Sequence, residues 1–214
     1  LIGAVPWFAW DLPDTREVAM PELRPAITVV AADGGQIARY GDMTGDMVPV
    51  SALPKDLVDA VISIEDRRFY EHMGVDPIGV VRALWVNWQA GATVQGGSTI
   101  TQQTAKNLFL SGERTAMRKA QEIVLAYMLE ALLDKRRILT IYLNSVEWGE
   151  GIFGAQAAAR HYFHVDASQL GAMQAARLAV MLPAPKRFEK NPGSAYVSGR
   201  AGTIVSRMSG VELP

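Results

Sequence analysis

The stretch VQGGSTITQQTAKNLFL, residues 94–110, places a run of hydrogen-bonding side chains before a short apolar end. Thr99 and Gln102 have the spacing of a capping box, which predicts that a helix begins at Thr99. At 100° per residue, Thr99, Gln103 and Lys106 fall on one face of that helix. That face either meets solvent as an ordinary polar surface or binds a polar ligand such as a sugar or a phosphate.

The rest of the sequence predicts a mainly α protein with a small β-hairpin near its N-terminus. β-branched residues on both sides of residues 33–35 (Asp-Gly-Gly) predict the hairpin. Farther along, apolar residues recur at helical spacing, and Asp76 followed by Pro77 is typical of a helix start. Long helices are expected near residues 115–133 and 135–146. With 214 residues, the chain is long enough for one large domain or two small lobes.

The composition excludes several kinds of site. The formal net charge of −1 argues against a nucleic-acid-binding protein, because such proteins carry a strongly basic surface. The chain has no Cys, so disulfides and thiolate metal sites are excluded. No HExxH and no GxSxG motif occurs, so neither a zinc protease nor a serine hydrolase is indicated.

The first ten residues, LIGAVPWFAW, are almost wholly apolar. They supply about half of the ~20 residues that a helix needs to cross a bilayer. Two interpretations stay open: a strand or tail that packs on the domain, or the outer end of a truncated membrane anchor. Residues 1–25 are therefore interpreted as an N-terminal arm, and residues 26–214 as the folded domain.

Glu65 ends an apolar helical stripe in the segment ISIEDRRFYEHMG and is followed at once by charged residues. A charge cluster of this kind is usually a solvated turn. The alternative is a carboxylate at the edge of apolar packing, because Ile62 and Ile64 come directly before it. Burial there would raise the carboxyl pKa toward the value that a general base needs near neutral pH.

A second carboxylate lies in the segment ERTAMRKAQE. Arg114, Arg118 and Glu122 are spaced four residues apart and therefore line one helical face, with Lys119 adjacent. Such a face is commonly a salt-bridged surface ridge. The functional alternative is a carboxylate held among cations that also bind a pyrophosphate.

An apolar and aromatic helical face is present in DPIGVVRALWVNWQAG. Val80, Val81, Leu84, Trp85 and Trp88 share it. A face of this kind is most often part of a protein core. If it were exposed, it would suit contact with a membrane surface.

Five segments follow one another across roughly residues 60–192: EDRRFYEHMGVD, GGSTITQQTAKNLFL, RKAQE, KRRILTIYLNSVEWGEGIFGAQAAARHYF and LAVMLPAPKRFEKNP. Taken together and in this order, they resemble the peptidoglycan glycosyltransferases, glycosyltransferase family 51. The family contains stand-alone monofunctional enzymes and the glycosyltransferase modules of class A penicillin-binding proteins. The segments QQTAKNLFL and VEWGEGIFGAQAAARHYF and the ending PGSAYVSGRAGTIVSRM look monofunctional, whereas the lead-in up to residue 54 looks more like class A. The monofunctional form is therefore favoured, and an excised or engineered class A module is the rival.

The resemblance implies a lysozyme-like, mainly α fold with a head lobe and a jaw lobe, and it makes residues 26–214 the catalytic domain. The implied activity is polymerisation of lipid II into β-1,4-linked glycan strands on the outer side of the bacterial cytoplasmic membrane. The implied partners are lipid II, the nascent glycan strand, the membrane surface through parts of residues 77–95, and other cell-wall synthesis proteins. A divalent cation such as Mg²⁺ assists the leaving group in this family, but no dedicated metal site and no organic cofactor is expected.

The resemblance also carries roles to individual residues. Glu65 is similar to the family's general base, which deprotonates the acceptor's sugar 4-hydroxyl, and Glu122 is similar to the second carboxylate on the donor side. Eleven further residues are expected to bind substrate: Asp66, Phe69, His72, Ser98, Thr99, Gln103, Lys106, Asn107, Arg114, Arg118 and Lys119.

Two other functions are weighed against this one. A lytic, lysozyme-like muramidase would use paired carboxylates with an activated water. It needs no cationic site for a leaving group, so Lys106, Arg114 and Arg118 weigh against it. A non-catalytic module that binds lipid II is the third alternative, and the presence of both Glu65 and Glu122 weighs against that one.

Overall fold

The protein is described from a computed structural model. The described part consists of the backbone of residues 27–30, 36–40 and 43–44, followed by residues 46–110 and 115–208. The proposed N-terminal arm, residues 1–25, lies outside these ranges and stays a prediction.

The predicted mainly α class is confirmed. The helices of the described residues are α1 (Lys55–Glu65), α2 (Pro77–Ala90), α3 (Ile100–Phe109), α4 (Ala116–Leu132), α5 (Lys135–Ser145), α6 (Ala155–Phe163), α7 (Ala172–Met181), α8 (Pro185–Phe188) and α9 (Ala195–Met208). Asp76 is the N-cap residue of α2 and Pro77 is its first residue, as expected.

The predicted hairpin is present as strands β1 (Ile27–Val30) and β2 (Gln36–Tyr40), which pair antiparallel with Ile27 opposite Tyr40. Its turn lies outside the described residues. A second small sheet was not predicted: β3 (Met43–Thr44) pairs parallel with β5 (Ile152–Phe153), which pairs antiparallel with β4 (Glu147–Gly149). Strands of two or three residues are too short to show the alternation by which a strand is recognised.

The chain divides into two compact units. One contains Glu65–Tyr142, and the other combines Glu22–Ile64 with Leu143–Pro214, so far as these ranges are described. The first unit therefore holds α2, α3, α4 and most of α5. The second holds most of α1, the small sheets and the C-terminal helices.

The core of the first unit forms where α3, α4 and α5 meet. Ala105, Leu125, Leu129 and Ile141 are fully buried there, and Leu108, Phe109 and Leu110 pack against them. The apolar end of the 94–110 stretch is thus the part that attaches α3 to the core, as its sequence predicts.

The capping box at the start of α3 is confirmed. The Thr99 hydroxyl accepts a hydrogen bond from the Gln102 amide at 3.1 Å, and the Gln102 side chain accepts one from the Thr99 amide at 3.0 Å. The same hydroxyl donates to the carbonyl oxygen of Gly74 at 2.6 Å. Thr99 therefore both starts the helix and ties it to the segment that follows Glu65.

The apolar face of α2 is exposed rather than part of a core. The exposed fractions of Val81, Leu84, Trp85 and Trp88 lie between 57% and 73%, and these four side chains line a shallow hollow. Val80 is only partly buried. None of the described helices combines the length and the hydropathy that a bilayer span requires.

In the second unit, Asn144 joins the end of α5 to the chain before α1. Its side chain accepts from the Val48 amide and donates to the Val48 carbonyl, both at 2.8 Å. Gly154 lies against the backbone of the same residue with a positive φ of 84°, and a Cβ at Gly154 would lie 2.7 Å from the Asn144 carbonyl oxygen.

We expect Gly154→Ala to lower the free energy of unfolding by about 3 kcal/mol, because the added methyl group meets backbone and the φ angle disfavours any L side chain. The matched control is Gly202→Ala in α9, where an added Cβ would meet no other part of the described chain. That change should raise stability by roughly 0.5–1 kcal/mol through helix propensity. Chemical denaturation checks both, and equal stabilities for the two variants would contradict the account.

Candidate active site

Glu65 ends α1, and its carboxylate is held by α3. The Gln103 side-chain amide donates to Glu65 Oε2 at 2.7 Å. The other oxygen, Oε1, is buried and has no hydrogen-bond partner among the described residues. The carboxylate is therefore fixed at one oxygen and keeps the lone pairs of the other.

Burial raises the pKa of the Glu65 carboxyl above its ordinary value. The Gln103 hydrogen bond and the positive charge of Lys106 lower that pKa, and the neighbouring Asp66 carboxylate raises it. Glu65 is thus a buried carboxylate rather than part of a solvated turn. Burial is the largest influence on its pKa and raises it, as a general base near neutral pH requires.

Tyr142 of α5 completes the surroundings of Glu65 and was missed by the sequence reasoning. Its side chain is fully buried, and its hydroxyl donates to Gln103 Oε1 at 3.4 Å. Burial raises the pKa of the Tyr142 hydroxyl well above its ordinary value, and the Glu65 and Asp66 carboxylates raise it further. The hydroxyl therefore stays protonated as a donor that orients the Gln103 amide. Tyr142 lies in the fourth of the quoted segments, but a Tyr in an apolar helix gives no sign of such a role.

Asp66 and His72 form a buried pair beside Glu65. His72 Nε2 lies 3.0 Å from both carboxylate oxygens of Asp66, and Asp66 Oδ2 accepts from the Ile100 backbone amide at 3.0 Å. Asp66 therefore binds the first residue of α3. Asp66, His72 and Thr99 are less than a tenth exposed and Phe69 is fully buried, which suits them to holding the site in place.

An ion pair between Lys135 and Glu130 lies against the turn formed by residues 66–74, which contains Phe69 and His72. Lys135 Nζ donates to Glu130 Oε1 and to the His72 carbonyl oxygen, both at 2.6 Å, and lies 4.5 Å from the centre of the Phe69 ring. Neither Lys135 nor Glu130 was a predicted site residue. Their sequence spacing of five residues across a helix break gives no pairing signal.

Glu122 is buried in α4 and is bound by Lys119. The Lys119 ammonium donates to a Glu122 carboxylate oxygen and also to the Ser98 hydroxyl, the latter at 2.9 Å. Among the described residues, the partner found for Glu122 is therefore Lys119, three residues earlier on α4, and not one of the arginines at i, i+4 spacing. Lys119 is half exposed, so it presents positive charge at the surface near Ser98.

The remaining predicted residues differ in placement. Asn107 is exposed on α3, whereas Lys106 on α3 and Arg118 on α4 are partly buried. Arg114 lies outside the described residues and stays a prediction. All the predicted site residues that the structure describes fall within the unit that contains Glu65–Tyr142, so one compact unit carries both carboxylates and the described cations.

The donor set does not fit a dedicated metal site. Among the described residues, no group of three or more His, Asp or Glu side chains could hold a metal ion. Glu122, the carboxylate expected on the donor side, is paired with Lys119. No residues are assigned to a divalent cation.

Comparison with known proteins shows the family of this chain. A family model described as Transglycosylase matches residues 33–209. A biosynthetic peptidoglycan transglycosylase from Janthinobacterium sp. (strain Marseille) is 53% identical over 78% of this chain and 72% of its own length. Proteins of the same name from Burkholderia multivorans and Herminiimonas arsenicoxydans are each 52% identical over 78% of this chain, which corresponds to 68% and 72% of their lengths.

We expect Gln103→Met to raise the pKa of the Glu65 carboxyl further, because the variant loses the hydrogen bond that stabilises the charged form. NMR titration of ¹³C-labelled Glu side chains measures this directly. The matched control is Gln89→Met, whose side chain is exposed on α2; it should leave the Glu65 midpoint unchanged. An unchanged or lowered midpoint in Gln103→Met would contradict the geometry.

Proposed function

We propose a mechanism on the basis that the chain belongs to the transglycosylase family and acts as a peptidoglycan glycosyltransferase. In this mechanism the protein polymerises lipid II, and Glu65 is the general base. Glu65 accepts the proton of the acceptor's sugar 4-hydroxyl as that oxygen attacks the anomeric carbon of the donor. The bond from this carbon to the lipid pyrophosphate breaks at the same time, so the α-linkage is inverted to a β-1,4 bond. Undecaprenyl pyrophosphate leaves with the bonding electron pair.

The state of the Glu65 carboxylate carries this proposal. A general base works best when its pKa lies near the working pH, and burial moves the pKa of Glu65 in that direction. Gln103 holds one oxygen at 2.7 Å and leaves the other without a partner among the described side chains. A carboxylate fixed in this way accepts a proton at a defined atom.

The cations of α3 and α4 support the leaving-group half of the reaction. A pyrophosphate leaving group needs its charge neutralised more than it needs a proton. Lys119 lies between Ser98 and Glu122, and Arg118 precedes it on α4. We assign Lys119, Arg118 and Lys106 to the pyrophosphate, with Arg114 as a fourth candidate. Glu122 would orient Lys119 rather than protonate the leaving group.

Apart from Arg114, Arg118 and Lys119, the predicted substrate contacts divide into two groups by burial. Ser98, Gln103, Lys106 and Asn107 are partly buried or exposed, and we propose that they meet the sugars and phosphates. The buried group, Asp66, Phe69, His72 and Thr99, would act by holding the first group and Glu65 in place.

The exposed face of α2 suits a substrate with a long lipid tail. Its two Trp rings lie 5.2 Å apart, and both are more than half exposed. Aromatic and aliphatic side chains in this arrangement enter the interfacial region of a bilayer. We propose that α2 contacts the outer surface of the cytoplasmic membrane, where lipid II is presented. The names and lengths of the relatives favour the monofunctional form over a class A module.

We expect Glu65→Gln to reduce polymerisation of labelled lipid II by a factor of about 10²–10⁴, because the amide cannot accept the proton. Separation of the glycan strands by length measures the product. Glu150→Gln, which changes an exposed carboxylate of the second unit, is the matched control and should keep full activity.

Circular dichroism and thermal unfolding establish that the Glu65→Gln variant is folded. Wild-type rates in that folded variant would contradict the assignment of the base. Release of fragments from purified sacculi by the wild-type protein, with no strand synthesis, would instead favour the lytic muramidase.

We expect Lys119→Met to lower kcat/KM for lipid II by roughly tenfold or more, since a charge-assisted contact to the leaving group is worth about 1.5–3 kcal/mol. Lys190→Met, which removes an exposed ammonium of the second unit, serves as the control. Steady-state kinetics compares the two. Equal kcat/KM values in both variants would rule out a role for Lys119 at the pyrophosphate.

A further inference from the structure

We infer that the ion pair between Lys135 and Glu130 is a positioning device, which holds the Asp66–Gly74 turn against α3 and thereby fixes the Glu65 carboxylate. The inference rests on the proposed function, since it concerns the geometry of the same general base. Neither residue contacts the carboxylate itself, so both are positioning residues rather than catalytic ones.

Lys135 makes three contacts that converge on one turn. Its ammonium bonds Glu130 Oε1 and the His72 carbonyl oxygen at 2.6 Å each, and it lies 4.5 Å from the Phe69 ring centre. The side chain of Lys135 is 20% exposed and that of Glu130 only 3%. In surroundings of such low polarity, each of these contacts is stronger than it would be in water.

Glu130 extends the same network to the start of α3. Its Oε1 also accepts from the Thr101 hydroxyl at 2.7 Å. The turn itself presses on α4 at Gly74, where a Cβ would lie 3.1 Å from the Ala126 carbonyl oxygen and 3.3 Å from Glu130 Cγ. The turn is therefore enclosed by α3, α4 and the first residue of α5.

Two hydrogen-bond connections lead from this network to the base. His72, whose carbonyl is bound by Lys135, contacts both Asp66 oxygens at 3.0 Å, and Asp66 directly follows Glu65. Asp66 also accepts from the Ile100 amide at 3.0 Å, and Gln103, one turn along α3, donates to Glu65. Both partners of the Glu65–Gln103 bond thus depend on the same turn.

The burial of this ion pair indicates that it fixes geometry more than it stabilises the fold. Removing two charges from water is costly, so a buried ion pair often adds little net stability. The pair instead fixes the position of the turn. One ammonium group contacts a carboxylate of α4 and, in the turn, the His72 carbonyl oxygen and the Phe69 ring.

The test is the double variant Glu130→Gln/Lys135→Met, because Lys135→Met alone would leave an unpaired buried carboxylate. We expect a folded protein whose melting temperature is close to that of the wild type. Its kcat for lipid II polymerisation should fall by about 10²-fold, the effect of misplacing a catalytic group by about 1 Å, while KM changes by less than about threefold. Amide hydrogen exchange without substrate should be faster in residues 66–74.

Two further variants separate position from charge. Glu130→Gln alone keeps an oxygen that accepts from Lys135 and Thr101. Its kcat should therefore lie much closer to that of the wild type than to that of the double variant. Arg160→Met breaks the ion pair of Arg160 with Asp166 in the second unit and should change neither kcat nor the exchange of the turn.

A folded double variant with wild-type kcat and wild-type exchange in the turn would overturn the inference. If the double variant does not fold, Thr101→Val decides, because it keeps both charges and removes only the bond to Glu130. A reduced kcat with faster exchange at the start of α3 supports the inference, and wild-type values for both overturn it. A wild-type protein that makes no glycan would count against the proposed function alone, since the exchange measurement needs no substrate.

Discussion

The carboxylate of Asp66 is the contact on which the rest of this site depends. It accepts a hydrogen bond from the first amide of α3, and His72 Nε2 lies 3.0 Å from both of its oxygens. Because Glu65 is its neighbour in sequence, the proposed base and the helix that carries Gln103 are joined through one buried residue. A carboxylate that receives several hydrogen bonds is an effective anchor inside a protein, since leaving any of those donors unpaired would cost about 1–3 kcal/mol. The position of the proposed base thus depends on how α3 begins.

Charge is distributed over the unit in a way that serves two chemical needs. Glu65 receives a hydrogen bond from an uncharged amide and stays partly desolvated, so burial is the largest influence on its pKa. Glu122 is instead bound directly by an ammonium group. One carboxylate thus has the raised pKa that suits the proposed base, while the other is paired with an ammonium group beside the cations proposed for the pyrophosphate. This division matches a reaction whose nucleophile must be deprotonated and whose leaving group is an anion.

Much of the fold and part of the site could be predicted from the sequence. The Thr99–Gln102 capping box and the apolar anchor of α3 depend on local patterns, and both are confirmed. Exposure of the α2 face could not be predicted, because amphipathic spacing is the same for a core face and a free one. Tyr142 and Lys135 were missed since the hydrogen bond of Tyr142 to Gln103 and that of Lys135 to the His72 carbonyl join residues 39 or more positions apart. Glu65 was identified through family resemblance, and its spacing alone left two alternatives.

The central claim is that Glu65 accepts the proton in glycan polymerisation. The most direct measurement compares two titrations of the wild-type protein in the same buffer: the acid limb of kcat/KM for lipid II, and the ¹³C NMR titration of the Glu65 carboxyl in the free enzyme. Because kcat/KM reports on groups of the free enzyme, the account predicts that the two midpoints coincide and that both lie above the ordinary pKa of a glutamate. A Glu65 carboxyl that titrates well below the acid limb, with activity still rising long after it is fully ionised, would contradict the account.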